Sequence, residues 1–159
     1  MVSENCISFY VHIGCCSSAH PLIPLSTSRG FITKSFARSK DSCRDLFFST
    51  TLPDEELVRF QQKLSECSPV GLLNVRTLSS ELPLPPLEKS IFAAEDIRNR
   101  VFVGGGLDDQ VVDPPAVDEL ASYFDVSPKF WAGMAHDVML DTKWNLVADD
   151  LEKWISESF

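Results

Sequence analysis

Long apolar runs are missing from this 159-residue chain. No stretch approaches the ~18 consecutive apolar residues that a membrane-crossing helix needs, so no transmembrane segment is expected. Acids are nearly absent from the first 40 residues, which hold only Glu4 against Arg29, Lys34, Arg38 and Lys40, a balance of +3. The net charge of −9 therefore leaves −12 on the remainder. An acidic main body argues against nucleic acid and anionic membrane as partners. Paired C-x-x-C spacing is also missing: Cys15 and Cys16 are adjacent, and Cys6, Cys43 and Cys67 stand alone. That removes zinc-finger frameworks. An odd set of five cysteines suits reduced thiols and an intracellular compartment, either cytoplasm or chloroplast. The chloroplast enters because Ser, Thr and Arg without acids is also the composition of an organellar transit peptide; the uneven start of a folded chain would look the same. A secretory leader is not expected, since "ISFYVHIGCC" has no basic flank and His12 interrupts its apolar run.

What is present is globular: 44% hydrophobic and 23% charged residues, a length suited to one domain of ordinary size. Residues 6–16 alternate Ile7, Phe9, Val11 and Ile13 with Ser8, Tyr10 and His12, a strand period. Residues 17–29 carry Pro21, Pro24 and five Ser or Thr, and read as loop. From about Ile32 to Phe47 a helical stripe runs through Ile32, Phe36, Cys43 and Phe47. Pro53 followed by Asp54, Glu55 and Glu56 marks a helix start, with Leu57, Phe60, Leu64 and Cys67 on one face. "ELPLPPLEK" reads as a stiff extended linker. Its Pro83 and Pro86 form P-x-x-P, but Glu88 stands where a basic flank would favour an SH3-type ligand.

Beyond the linker the pattern changes. Val101-Phe102-Val103, closed by Gly104-Gly105-Gly106, suits a short buried strand of a parallel sheet. Val117, Leu120, Ala121 and Phe124 mark a helix, "KFWAG" a second short strand, and Trp144, Val147, Ala148, Leu151, Trp154 and Ile155 a final amphipathic helix. A β-α-β-α succession implies an α/β fold: a few parallel strands flanked by helices. Chemistry in such sheets gathers at the carboxyl ends of the strands. Asp108-Asp109 and His136 both fall just after expected strands, and so on one edge. The three glycines could cradle a phosphate, but no Lys-Ser/Thr follows and two acids do, so a tight turn fits better. His136, Asp137 and Asp141 could ligate a metal, yet their spacing is unspecific; the two acids read better as caps or anchors of the turn. No cofactor is implied.

"VFVGGGLDDQVVD", then "GMAHDVMLDTKW" some 25 residues on, then a final helix, resembles the C-terminal part of α/β-hydrolases, in particular plant-type members. "FARSKDSCRDLFFSTTLPDEELVRFQQKL" resembles the helical lid of the same family. The likeness runs from about Arg29 to the end. It implies a partial α/β-hydrolase fold in three parts: a divergent N-terminal strand and loop at 1–29, a helical lid-like region at 30–86, and a core portion at 87–159. Carried over by motif, G-x-x-D falls on Gly106-Leu107-Asp108-Asp109. Asp109 then takes the place of the triad acid, with Asp108 and Asp113 as alternatives. G-x-x-H falls on Gly133-Met134-Ala135-His136, making His136 the triad base.

G-x-S-x-G, which should carry the nucleophile on a strand-to-helix turn, occurs nowhere in the chain. Gly14-Cys15-Cys16-Ser17-Ser18 offers Cys16 as a substitute, but Pro21 and Pro24 cut short the helix an elbow must feed. The resemblance thus implies the second half of an ester or acyl hydrolase: acid and histidine kept, the nucleophile-bearing half not encoded. Two expectations follow. The chain acts on a small ester-like substrate, or it is a non-catalytic fragment or pseudoenzyme serving as an interaction module. In either case the unpaired edge of an incomplete sheet invites a covering protein partner.

Overall fold

The computed structural model describes residues 30, 32–67 and 100–158. The strand expected at 6–16, the loop at 17–29, Cys16 and the Pro83–Pro86 linker lie outside them. Among the described residues the architecture is mixed: four α-helices and one two-stranded parallel sheet.

The first part is helical. A 3₁₀ turn at Ser35–Ala37 leads to α1 (Lys40–Phe47), and α2 spans Asp54–Cys67. The stripe expected to run unbroken from Ile32 to Phe47 is interrupted twice. Lys34 adopts the left-handed region at φ 55°, and Ser39 is extended as the N-cap of α1, its hydroxyl accepting the Ser42 N–H at 3.2 Å. At Ser39 the capping side chain competes with helix continuation, which separates the 3₁₀ turn from α1. Ile32 consequently points to solvent, while Phe36, Cys43, Leu46 and Phe47 are buried. They join Phe48, Leu52, Leu57, Phe60 and, from the other end of the chain, Val111. Phe36 meets Phe47 edge-on at 5.3 Å and Phe48 stacks on Phe60 at 5.4 Å. Arg44 fastens the α1–α2 turn: Nη1 donates to the Ser49 and Leu52 carbonyls, both at 2.9 Å, and Nη2 pairs with Asp54 at 2.7 Å.

The second part carries the sheet. β1 is Gly104–Gly106 and β2 is Lys129–Trp131, parallel, with Gly104 opposite Lys129 and Gly106 opposite Trp131. The strand thus falls on the glycines rather than on Val101–Val103, whose last carbonyl accepts the Lys129 N–H at 2.9 Å at the entrance to the ladder. The reason is steric. A Cβ at Gly104 would stand 2.7 Å from the Trp131 ring, and one at Gly105 would stand 2.9 Å from Val117. Glycine lets the neighbours come this close.

α3 (Pro114–Phe124) begins at Asp113, whose carboxylate accepts the Ala116 N–H at 3.1 Å, and buries Val117, Ala121 and Phe124. α4 (Trp144–Ser158) buries Val147 and half-buries Leu151 and Trp154. Trp144, Ala148 and Ile155, three members of its expected apolar stripe, face solvent. Asp150 holds α4 to β2, accepting Trp131 Nε1 at 2.8 Å and pairing with Lys129 at 3.0 Å.

Candidate functional site

The chain turns sharply as it leaves β1. The Leu107 N–H donates to the Trp131 carbonyl and the Asp108 N–H to the Met134 carbonyl, both at 3.0 Å. This turn exposes Asp108 and sends Asp109 inward. Both oxygens of the buried Asp109 carboxylate are used. Oδ1 accepts the Val111 and Val112 N–H groups at 2.7 and 3.0 Å, and Oδ2 meets His136 Nδ1 at 2.9 Å. Asp113, the remaining acid of this segment, is spent as the α3 cap.

His136 lies in the loop after β2, so both residues sit at the carboxyl end of the parallel pair. Gly133 at φ 72° turns that loop, and Lys143 Nζ bonds the Ala132 carbonyl at 2.8 Å. The Asp137 N–H donates to the Phe47 carbonyl at 2.9 Å, and the Phe47 ring lies 6.0 Å from the imidazole, centre to centre. An ionised carboxylate can only accept, so Nδ1 carries the proton and Nε2 keeps its lone pair. Nε2 has no protein partner among the described residues, and no fully buried side-chain nitrogen or oxygen there lacks one. Nε2 is therefore on the solvent-reaching side of the ring.

Burial is the largest influence on the His136 pKa and pushes it down. The hydrogen bond and charge of Asp109, with the charge of Asp137, outweigh it, and the net direction is upward. Asp137 is also raised: burial dominates, Asp109 and Asp141 add to it, and His136 opposes. The arrangement gives an imidazole that can take a proton at Nε2 while a carboxylate fixes its tautomer.

A nucleophile does not join the pair among the described residues. The Cys43 thiol is buried and pushed up to about 11, by burial first and by the charge of Asp137 second, which keeps it protonated and inert. Ser49 is also buried, and its hydroxyl is committed to Asp141 at 2.6 Å. No cluster of His, Cys, Asp and Glu suited to a metal ion occurs among the described residues, and no helix there is long and apolar enough to cross a membrane.

The sequence marks Asp141 as a cap or anchor of its turn and gives no sign of Ser49. Asp141 is fully buried and accepts four hydrogen bonds: Ser49 N–H at 2.8 Å, Ser49 Oγ at 2.6 Å, Ala135 N–H at 3.2 Å and Thr142 N–H at 2.7 Å. Nothing in "FFSTT" distinguishes Ser49 from its neighbours, so no local signal could have found it. Comparisons with family models, curated proteins and solved structures give no match.

Proposed function

We propose that this chain is an α/β-hydrolase-like protein that presents the base and the orienting carboxylate of an ester- or acyl-hydrolase triad. The observation that carries the proposal is the 2.9 Å bond from His136 Nδ1 to an Asp109 carboxylate whose other oxygen is held by two backbone N–H groups. Such a carboxylate cannot swing away, so the imidazole keeps one tautomer and one orientation. His136 accepts the proton of an attacking hydroxyl or thiol at Nε2 and returns it to the leaving group; Asp109 stabilises the imidazolium between the two steps. In this reading 30–86 serves as the lid and 87–159 as part of the core. The nucleophile comes from outside the described residues, either Cys16 or a second polypeptide.

The test is hydrolysis of 4-nitrophenyl acetate by the purified full chain, beside His136→Ala, Asp109→Asn and Cys16→Ala. Turnover abolished by His136→Ala and lowered by up to about 10⁴-fold by Asp109→Asn is expected. Turnover equal in wild type and His136→Ala, or none above buffer, overturns the proposal. It would leave the second reading, a non-catalytic interaction module. Exposed Met139, Leu140, Trp144, Leu146 and Ile155 favour that reading, because apolar groups in such number on one segment suit a protein partner.

A further inference from the structure

His136 is flanked by two residues whose N–H groups lead, directly or through Asp141, to the helical part, while the Asp137 carbonyl accepts the Leu140 and Asp141 N–H groups within the loop. Ala135, before it, donates its N–H to Asp141, which in turn takes the N–H and hydroxyl of Ser49. Asp137, after it, donates its N–H to the Phe47 carbonyl. Both anchors therefore end on residues 47–49, where α1 runs out and the chain turns toward α2. The Phe47 ring packs against the imidazole from the same side. The carboxylate at the centre is fully buried, and all of its bonds come from N–H and O–H donors. Stripped of Ser49, this buried carboxylate would keep only the Ala135 and Thr142 N–H groups. A buried charge is costly unless its hydrogen bonds are complete. Bonds within the loop and to the β1 turn shape it in part, and the docked helical part completes the set.

We infer that Asp141 is a positioning residue of this site: by clasping Ser49 behind the histidine loop, it makes the presentation of His136 conditional on docking of the helical segment. Asp141 makes no hydrogen bond to the imidazole and acts through the Ala135 backbone. A base displaced by a fraction of an ångström loses its alignment with both Asp109 and an incoming nucleophile. The helical part thus holds the base as well as covering the site. The role in turnover rests on the reading of His136 as a base; the positional role does not.

The experiment uses the full chain with Ser49→Ala, which removes the hydroxyl's bonds to Asp141 and Thr51 and keeps the Ser49 N–H, and with Ser49→Thr, which keeps the hydroxyl. The His136 ring proton is followed by NMR against pH, and 4-nitrophenyl acetate turnover is measured in parallel. With far-UV circular dichroism unchanged, Ser49→Ala is expected to move the His136 midpoint down toward 6.5, because the Asp109 bond loosens. Turnover is expected to fall about ten- to a hundredfold. Ser49→Thr restores both. An unchanged midpoint in folded Ser49→Ala overturns the inference. If wild type shows no turnover, the hydrolase reading fails alone, because the titration still decides whether the clasp positions the ring.

Discussion

Residue 106 has no room for a side chain. A Cβ there would stand 2.2 Å from the Met134 carbonyl oxygen and 2.5 Å from that of Ala135, and both obstacles are backbone. Neither can rotate aside, so Gly106→Ala must push the histidine loop off the sheet. The expected cost is about 1–3 kcal/mol, seen as a lower urea midpoint. The His136–Asp109 bond should suffer as well, because Asp108 holds the Met134 carbonyl in this same approach. A variant as stable as wild type would contradict this packing. Asp109 and His136 were both legible in the sequence, as acid and histidine placed just after two strands. In the sequence only the G-x-x-D motif sets Asp109 apart from Asp108 and Asp113. The physical reasons emerge from the structure: Asp108 is on the outside of the turn and Asp113 is occupied by α3.

The elements differ in how plainly they announce themselves. α2 and α3 are legible because their starts are written locally, as Pro53 with three acids and as Asp113 with two prolines. The interruption before α1 is less so. Periodicity carries the stripe through Lys34, and only the capping chemistry of Ser39 and a left-handed backbone break it. β1 misleads in the opposite sense. Val101–Val103 has the strand composition, yet the ladder forms on three glycines because Trp131 and Val117 press against them. Tertiary approach decides there, against propensity. The Ser49–Asp141 contact joins residues 92 apart and has no counterpart in any local pattern. That is why the clasp cannot be seen in the sequence, whereas Asp109 and His136 each follow an expected strand.

Across the described molecule, the three groups pushed upward couple protonation to folding with one sign. His136 is raised above 6.5, Asp137 above 3.8, and Cys43 from 9.0 to about 11. In each case the folded state holds the proton more tightly than the unfolded chain, so stability falls as pH rises. The His136 contribution is complete below 6.5 and is lost as pH rises through its raised folded value. That of Asp137 begins to fade above 3.8, and that of Cys43 only between 9.0 and about 11. Asp54 and Asp150 are lowered and work the other way, but both are solvated and act only in strong acid. Urea midpoints should therefore decline from pH 5.5 to 8.5, and His136→Ala should flatten the decline near neutrality. A rising profile would refute the assignment. The clasp also has a consequence for how the native protein breathes. β1 and β2 pair residues 25 apart, from Gly104 to Lys129, whereas Ser49 and Asp141 close a loop of 92. The longer closure costs about 1 kcal/mol more chain entropy. The helical segment should then lift away before the sheet melts. In hydrogen exchange, the Ser49, Ala135 and Asp137 amides should open together, at a lower free energy than the ladder amides of β1 and β2.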